Sequence, residues 1–529
     1  MTNKKEYYSK KAVKAVKAKI QDGLSAAKAT QIMCKEFGFE YNESIGRHYR
    51  HILQKQDIKS KFNTEQSEEL KVAKTRQYDC DKQRFIISWA QQDTPIHEQF
   101  FSNIEAYAKH IDADIHIICG RYKNSTSLEG SKQQKKSEES KTMWHPRLQP
   151  YLDANRQQLH EHLQLLADIK VQPTAVTPLT GFNSITGLES CIIGHPSIHL
   201  KSLPVLPTYP NKLLITTGAV TLPNYSDTKS GKKGEFNHVL GFCIVEKDGE
   251  IFHIRQVQCD ESGSFYDLTI YVFEGEVYSY FKGVPAVVFG DLHLGQEDNE
   301  SVNLAFDLVD SLGGADKIIV HDVFDGHSVS GHDLKDPFVL LSREEDGSSR
   351  LQTEIDYMVA WFKERKQYDF VSVMSNHCEW LDRWVRQSDW RKTNNKKLYL
   401  ELSNVVASGK ADKGLVPYIL DTETDNVVSL GYDDSYRLAG WELALHYDKG
   451  ANGSRGSVMQ FKNLNTKSIG GHGHTPERQL GSIMVGTLTE MKLGYNKGLS
   501  SWLAGVVVIY PNGKASHINF VKGKYTTLY

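Results

Sequence analysis

Asp291 and His293 stand one residue apart just past an apolar run, Val284 to Phe289, that stops at Gly290. In an extended backbone residues i and i+2 point to the same side. A carboxylate and an imidazole therefore share one side of a strand end, where they could hold a cation. The arrangement recurs along the chain. Lys317-Ile-Ile-Val320 runs into His321-Asp322-Val-Phe-Asp325, and Phe370-Val-Ser-Val-Met374 into Ser375-Asn376-His377. Leu443-Ala-Leu445 leads to His446, and Ser468-Ile-Gly-Gly471 to His472-Gly-His474. Open α/β sheets collect their ligands at the carboxyl ends of strands, so these five separated segments are expected to converge. With 21 histidines in the chain, a single one is more simply a hydrogen-bonded or surface side chain. His97, His145, His160 and His162, which lack this context, are given no role.

Taken in order, D-x-H, D-x-x-D, N-H, a lone H and G-H-x-H resemble the calcineurin-like metallophosphoesterase family, in particular its nuclease branch, over roughly residues 284 to 529. The resemblance implies a β-sandwich of two facing sheets flanked by helices, two divalent metal ions and hydrolysis of a phosphoester. It places Asp291, His293 and His474 on one ion, Asn376, His446 and His472 on the other, and Asp322 between them. His377 would stand beside the scissile phosphate and help the leaving oxygen depart. Such mixed O and N ligands suit manganese, and iron or zinc are accommodated too. The chain departs from the family pattern at three places. His321 and Ser375 stand where glycine is usual, and Cys378 separates the Asn-His pair from the acidic Glu379. Asp325, Lys449, Arg455, Arg383 and Arg386 are expected on the substrate side. Trp380, Trp384 and Trp390 either stack on a nucleic acid or, the simpler reading for Trp380 and Trp384, bury in the core.

The elements that must position these groups form an α/β protein of several domains, since 529 residues exceed what one core organises. Residues 1–61 carry 14 Lys/Arg against 6 Asp/Glu. Their apolar spacing predicts helices over 8–20 and 24–33 and a third from Ser44 to Leu53, a basic helix-turn-helix-like unit. Docking on nucleic acid through Arg47, His48 and Arg50 and service as an oligomer arm both remain open. Residues 62–82 read as a linker, and 83–283 as a mixed α/β accessory domain with a mobile loop at 122–142. In that domain, strands at 84–90 and 115–119 flank a helix at 96–111, and Asp248-Gly249 marks a hairpin. Residues 284–529 form the catalytic domain, with a polar loop over 326–350, a helix over 353–366, and a terminal hairpin expected beside the His446 and His472 strands.

The seven cysteines never occur as C-x-x-C pairs, which argues against a disulfide framework or a zinc ribbon and for reduced, mostly buried thiols. No apolar run reaches membrane-spanning length and the start lacks a signal peptide's apolar core, so the expected location is the cytoplasm, the host's if the chain is phage-encoded. Net charge is −2, so only the basic opening suggests a polyanionic partner. These features favour a metal-dependent DNA nuclease, with DNA as partner and a homo-oligomer compatible. The alternatives are a protein phosphatase or a cyclic-nucleotide or other small phosphodiesterase. A third reading is a DNA- or host-protein-binding module with an idle phosphoesterase domain.

Overall fold

The computed structural model describes residues 10–21, 26–39, 82–122, 144–330, 336–345, 347–464, 466–493 and 496–528, together with residues 24, 41, 45 and 49. Arg47, His48 and Arg50 lie outside these, as do the 62–82 linker apart from Lys82 and the 122–142 loop apart from Tyr122. The chain forms two compact units, residues 1–76 and 77–529. In the first, α1 (Lys10–Gln21) and α2 (Ala26–Glu36) bury Ala12 and Val16 with Ala29, Met33 and Cys34, and Ile45 and Tyr49 complete the cluster. Positions 12 and 16 lie one turn apart on a helix, which is why a single face supplies this core.

The second unit is built on mixed sheets. β1 (Arg84–Gln91), α3 (Glu98–His110) and β2 (Ala113–Gly120) form the predicted β-α-β unit, with β1 and β2 parallel. β3 (Gly241–Asp248) and β4 (Ile251–Gln258) form an antiparallel hairpin beside β1. Gly249, at φ 61°, makes that turn, a conformation which costs glycine little.

The site rests on a six-stranded sheet. Four parallel strands, β5 (Val284–Phe289), β6 (Ala315–Val320), β7 (Phe370–Ser372) and β8 (Val427–Ser429), lie side by side in that order. α4 (Cys378–Gln387) follows β7. The terminal hairpin, β9 (Ala504–Ile509) and β10 (Ala515–Phe520), adds to this same sheet, with Ala286 opposite Ile509 and Phe289 opposite Val506. This corrects its expected place beside the His446 and His472 strands. The five aliphatic residues of Val506-Val-Val-Ile509 and Ala504 are buried on both sides, and pairing with β5 also covers that strand's open edge.

One face of the sheet packs on helices at Asn299–Ser311 and Leu351–Lys363, through Val287, Phe289, Ile318 and Val320 against Val302, Phe306, Met358 and Phe362. The other face packs Ala286, Val288, Ile319, Val371, Val507 and Ile509 on Trp441, Leu443, Ile469, Ile483 and Val485 of a ten-stranded sheet. Each such aliphatic side chain contributes about 1.5–3 kcal/mol when fully buried, so the two sheets are held together at the end where the ligand-type residues emerge. Strands from both sides of residue 284 share the larger sheet, since Glu477–Gln479 pairs with His199–Leu203.

The polar loop expected over 326–350 contains a helix, Pro337–Glu345. Asp336 accepts hydrogen bonds from the backbone N–H groups of Phe338 and Val339, and Pro337 occupies the first helical position. These capping residues start a helix that lacks an apolar stripe. Among the described residues no helix is long and apolar enough to cross a membrane.

Candidate metal centre

The strand ends are held in register by backbone hydrogen bonds beyond the strands proper. Leu292 N–H donates to His321 O at 3.0 Å and His293 N–H to Asp322 O at 2.8 Å, which ties the end of β5 to that of β6. Two glycines permit the crowding. A Cβ on Gly290 would stand 2.6 Å from the Thr487 backbone, and one on Gly471 only 2.0 Å from Asp291 Oδ1. The His472 N–H then donates to that same Oδ1 at 3.0 Å. His293, Asp322, Tyr447, His472 and His474 all adopt positive φ, between 47° and 75°. Left-handed backbone costs a non-glycine residue roughly 1–2 kcal/mol, so the concentration of such strain here marks the region.

Asp291, His293, Asp322 and His474 are buried, with ligand atoms within 4.8 Å of one another, and could hold a metal ion. His293 Nε2 and His474 Nε2 face each other at 3.1 Å, about the separation of two ligands that each sit ~2.1 Å from one ion. His474 Nε2 lies 3.2 Å from Asp291 Oδ2. Asp322 Oδ2 is 3.3 Å from His293 Nε2 and 3.2 Å from His446 Nε2, so a single carboxylate oxygen stands between two imidazoles. The His446 ring is 5.4 Å from that of His472. Asn376 Oδ1 and Asp322 Oδ1 are buried and have no hydrogen-bond partner among the described residues. Acceptors left bare in the interior cost about 1–3 kcal/mol each, and a cation is the species that acceptors, not donors, satisfy. The donor set therefore fits a metal.

The electrostatics point the same way. Burial, then the like charge of Asp322, pushes the Asp291 carboxyl up to about 7. Burial would raise Asp322 too, but His446, His377 and His293 hold it well below the usual carboxylate range. Burial opposes charge on His293 and His446, yet Asp322 outweighs it, helped by Asp325 for the first and Asp291 for the second, and raises them to about 10 and about 9. The carboxylates thus demand positive charge, which protons or a metal can supply in competition. Burial lowers His472 to about 4 and takes His474 well below its ordinary value, leaving both as neutral nitrogen donors.

Around this cluster, Asp325 Oδ1 lies 2.8 Å from His293 Nδ1, and Asp325 O lies 2.6 Å from His377 Nδ1. Carboxylate and carbonyl oxygens only accept, so both Nδ1 atoms carry the proton and both Nε2 atoms are left for other partners. His377 stacks on Trp380, with ring centres 4.7 Å apart, and meets His293 edge-on at 4.4 Å. His293, Asp325 and His377 make a second group that could hold a metal.

Several expectations change here. Asp325, expected on the substrate side, lies 2.8 Å from Nδ1 of the ligand-type His293. Trp380, read as core, is only partly buried, with the His377 ring stacked on one of its faces; Trp384 is buried as expected. Glu379 does not support His377. It takes Arg383 Nη2 at 2.6 Å and Lys449 Nζ at 3.1 Å, so both cations are paired. Arg386 and Arg455 are exposed on the surface. Ser375, in place of glycine, accepts the Cys378 N–H and helps start α4. Cys378 is buried and its thiol is pushed up to about 12, so it is no nucleophile. His321 and Trp502 were missed as neighbours of the centre: His321 Nδ1 is 3.4 Å from His446 Nδ1, and the Trp502 ring is 4.1 Å from that of His474. His321 adjoins Asp322 and could have been flagged, whereas nothing near Trp502 in sequence signals its position.

Fold and site define an α/β protein with a buried Asp/His centre able to hold a metal ion. No family model and no solved structure matches the chain. It is 31% identical over 474 residues to Protein A1 of Escherichia phage T5, covering 84% of this chain and 82% of that protein. The chain belongs to the family of this phage protein.

Proposed function

We propose that the chain is a metal-dependent DNA nuclease of the calcineurin-like metallophosphoesterase type, working with two divalent ions, manganese first among them, on DNA in the phage-infected cell. The observation that carries this reading is the place of Asp322 Oδ2, within 3.3 Å of His293 Nε2 and 3.2 Å of His446 Nε2, as a bridging carboxylate requires. Asp291, His293 and His474 would hold one ion, and Asn376, His446 and His472 the other. When bound, the ions supply Lewis-acid polarisation of the phosphoryl group and acidify water for attack.

The chain's own residues do the rest. Asp322 keeps its charge between the two ligand sets. Asp325 holds His293 in one tautomer, and its main-chain oxygen does the same for His377. With Nδ1 committed to that carbonyl, His377 Nε2 is the atom that would take up a proton and pass it to the departing oxygen, and burial, which lowers the proton affinity of His377, makes that proton easy to lose. Trp380 covers one face of that ring and keeps water from it. A polymeric, polyanionic substrate is favoured over a small ester by the basic opening, 14 Lys/Arg to 6 Asp/Glu in residues 1–61.

The test is direct. With manganese the purified chain should degrade duplex DNA, and chelator should stop it. Intact DNA with cleaved bis-nitrophenyl phosphate would move the assignment to a small-substrate phosphodiesterase. If neither is cleaved with manganese, iron or zinc, the chain is a binding module.

A further inference from the structure

α1 carries five lysines in twelve residues, Lys10, Lys11, Lys14, Lys17 and Lys19, and no acidic residue. Lys11, Lys14 and Lys17 are exposed, on the side of the helix opposite the buried Ala12 and Val16. Lys19 is paired with Glu36 at 2.6 Å, and no described residue forms an ion pair with Lys11, Lys14 or Lys17. Lysines three apart on a helix repel one another. A row of this kind works against its own helix until an anion neutralises it.

We infer that the Lys11, Lys14 and Lys17 face of α1 is a docking surface for the phosphate backbone of duplex DNA, an inference that rests on DNA as the substrate proposed above. The geometry suits a backbone. At ~1.5 Å rise per residue, Lys11 to Lys17 spans about 9 Å, and a DNA strand presents a phosphate every ~3.4 Å of helix axis. Three long side chains can therefore each reach a separate phosphate. A membrane surface fits worse, because the exposed side of α1 offers lysine and Ala18 and none of the Trp, Phe or Leu side chains with which an interfacial helix inserts. Contacts of this kind position the protein without reading sequence, so the face would hold DNA of any sequence.

The experiment compares the full-length chain with the triple variant Lys11→Gln, Lys14→Gln, Lys17→Gln. Glutamine matches lysine closely in helix propensity, and the circular dichroism of both proteins should coincide. Binding to a short duplex of mixed sequence is measured in chelator over a range of salt, so that no cleavage intervenes. Each lost phosphate contact removes about 0.9 from the slope of log K against log salt, so the variant's slope should be shallower by about 2.7. A control with the exposed Lys109, Lys201 and Lys397 changed to Gln should keep the original slope.

Equal slopes for the parent and the α1 variant would overturn the inference. So would a parent chain that binds no duplex, or a variant whose only change is its oligomeric state, which would give the face to a second copy. Cleavage is read separately with manganese. Duplex that binds with the predicted slopes but is never cut supports this face while removing the nuclease assignment.

Discussion

His321 and His446 meet through their Nδ1 atoms, 3.4 Å apart, in a fully buried contact at the edge of the candidate metal centre. His446, raised to about 9 beside Asp322, carries a proton on both ring nitrogens near neutral pH, so its Nδ1–H donates to His321 Nδ1. Burial and the neighbouring His446 lower His321 to about 3, which keeps it a neutral acceptor. Partners of this sort orient a metal-binding imidazole, and losing one typically costs about 10–100-fold in metal affinity. His321→Ala should therefore weaken manganese binding by that order, measured by calorimetry on chelator-stripped protein. Unchanged affinity would leave His321 as packing alone.

Asp325 makes the corresponding contact on the other side, at 2.8 Å from His293 Nδ1. Asp325→Asn retains an acceptor for His293 but removes a charge that favours cations. Metal affinity should fall about tenfold or more, with the melting temperature in chelator nearly unchanged. A large drop in chelator would instead mark Asp325 as a structural residue.

Asp322 and His377 should separate metal binding from turnover. Ligand that binds only the folded chain at 100 times its dissociation constant adds about 2.7 kcal/mol of stability. Manganese should thus raise the melting temperature of the parent and of His377→Ala but not of Asp322→Ala. DNA cleavage should be lost in both variants. A His377→Ala protein that cuts at the parental rate would remove the proton-donor assignment.

At Gly471 a single methyl group should disturb the candidate metal centre, because its Cβ would come within 2.0 Å of Asp291 Oδ1 and 3.0 Å of the His321 side chain. Overpacking generally costs about 1–3 kcal/mol. Gly471→Ala should show that loss in denaturant unfolding together with a loss of metal content. A variant that is as stable as the parent and loads metal fully would show that the loop can move aside.

Away from the centre, Arg255 is fully buried with Glu246 Oε1 at 2.6 Å and Asp267 Oδ1 at 2.8 Å. Thr526 and Thr527 also donate to Glu246, tying the C-terminal segment to β3. Burial alone would raise the Glu246 carboxyl, but Arg255 and the threonine hydrogen bonds lower it from 4.5 to about 2. A folded pKa below the unfolded one stabilises the fold above the unfolded value. That contribution, about 3 kcal/mol, is present above roughly pH 4.5 and drains away toward pH 2. Breaking such a pair by removing one partner costs about 3–5 kcal/mol, so Arg255→Met should be strongly destabilised at neutral pH. Denaturant melts across that pH range check both, and a stability flat between pH 5 and pH 2.5 would contradict the first.

Much of the site was legible because its signals are local. An apolar run closed by Gly290 and followed by Asp-x-His specifies a buried strand and two side chains on one side, whatever surrounds it. The same reasoning located β6 and β7 and the β3–β4 hairpin. It did not reveal the helix at Pro337–Glu345, whose only announcement is the Asp336-Pro337 cap, or the true neighbour of the terminal hairpin, because β9 would satisfy its apolar residues beside any open strand.

Residue type and spacing alone determined which groups stand at strand ends and what cation chemistry they suit. Which of them meet was decided by tertiary structure. His293 and His474 are 181 positions apart yet 3.1 Å from each other, and Asp325 meets His293 because the register of β5 on β6 brings that imidazole to it. Backbone geometry settles the direction of a side chain within its own segment. The distance between segments depends on sheet register and on the packing of one sheet against another, which no short stretch encodes.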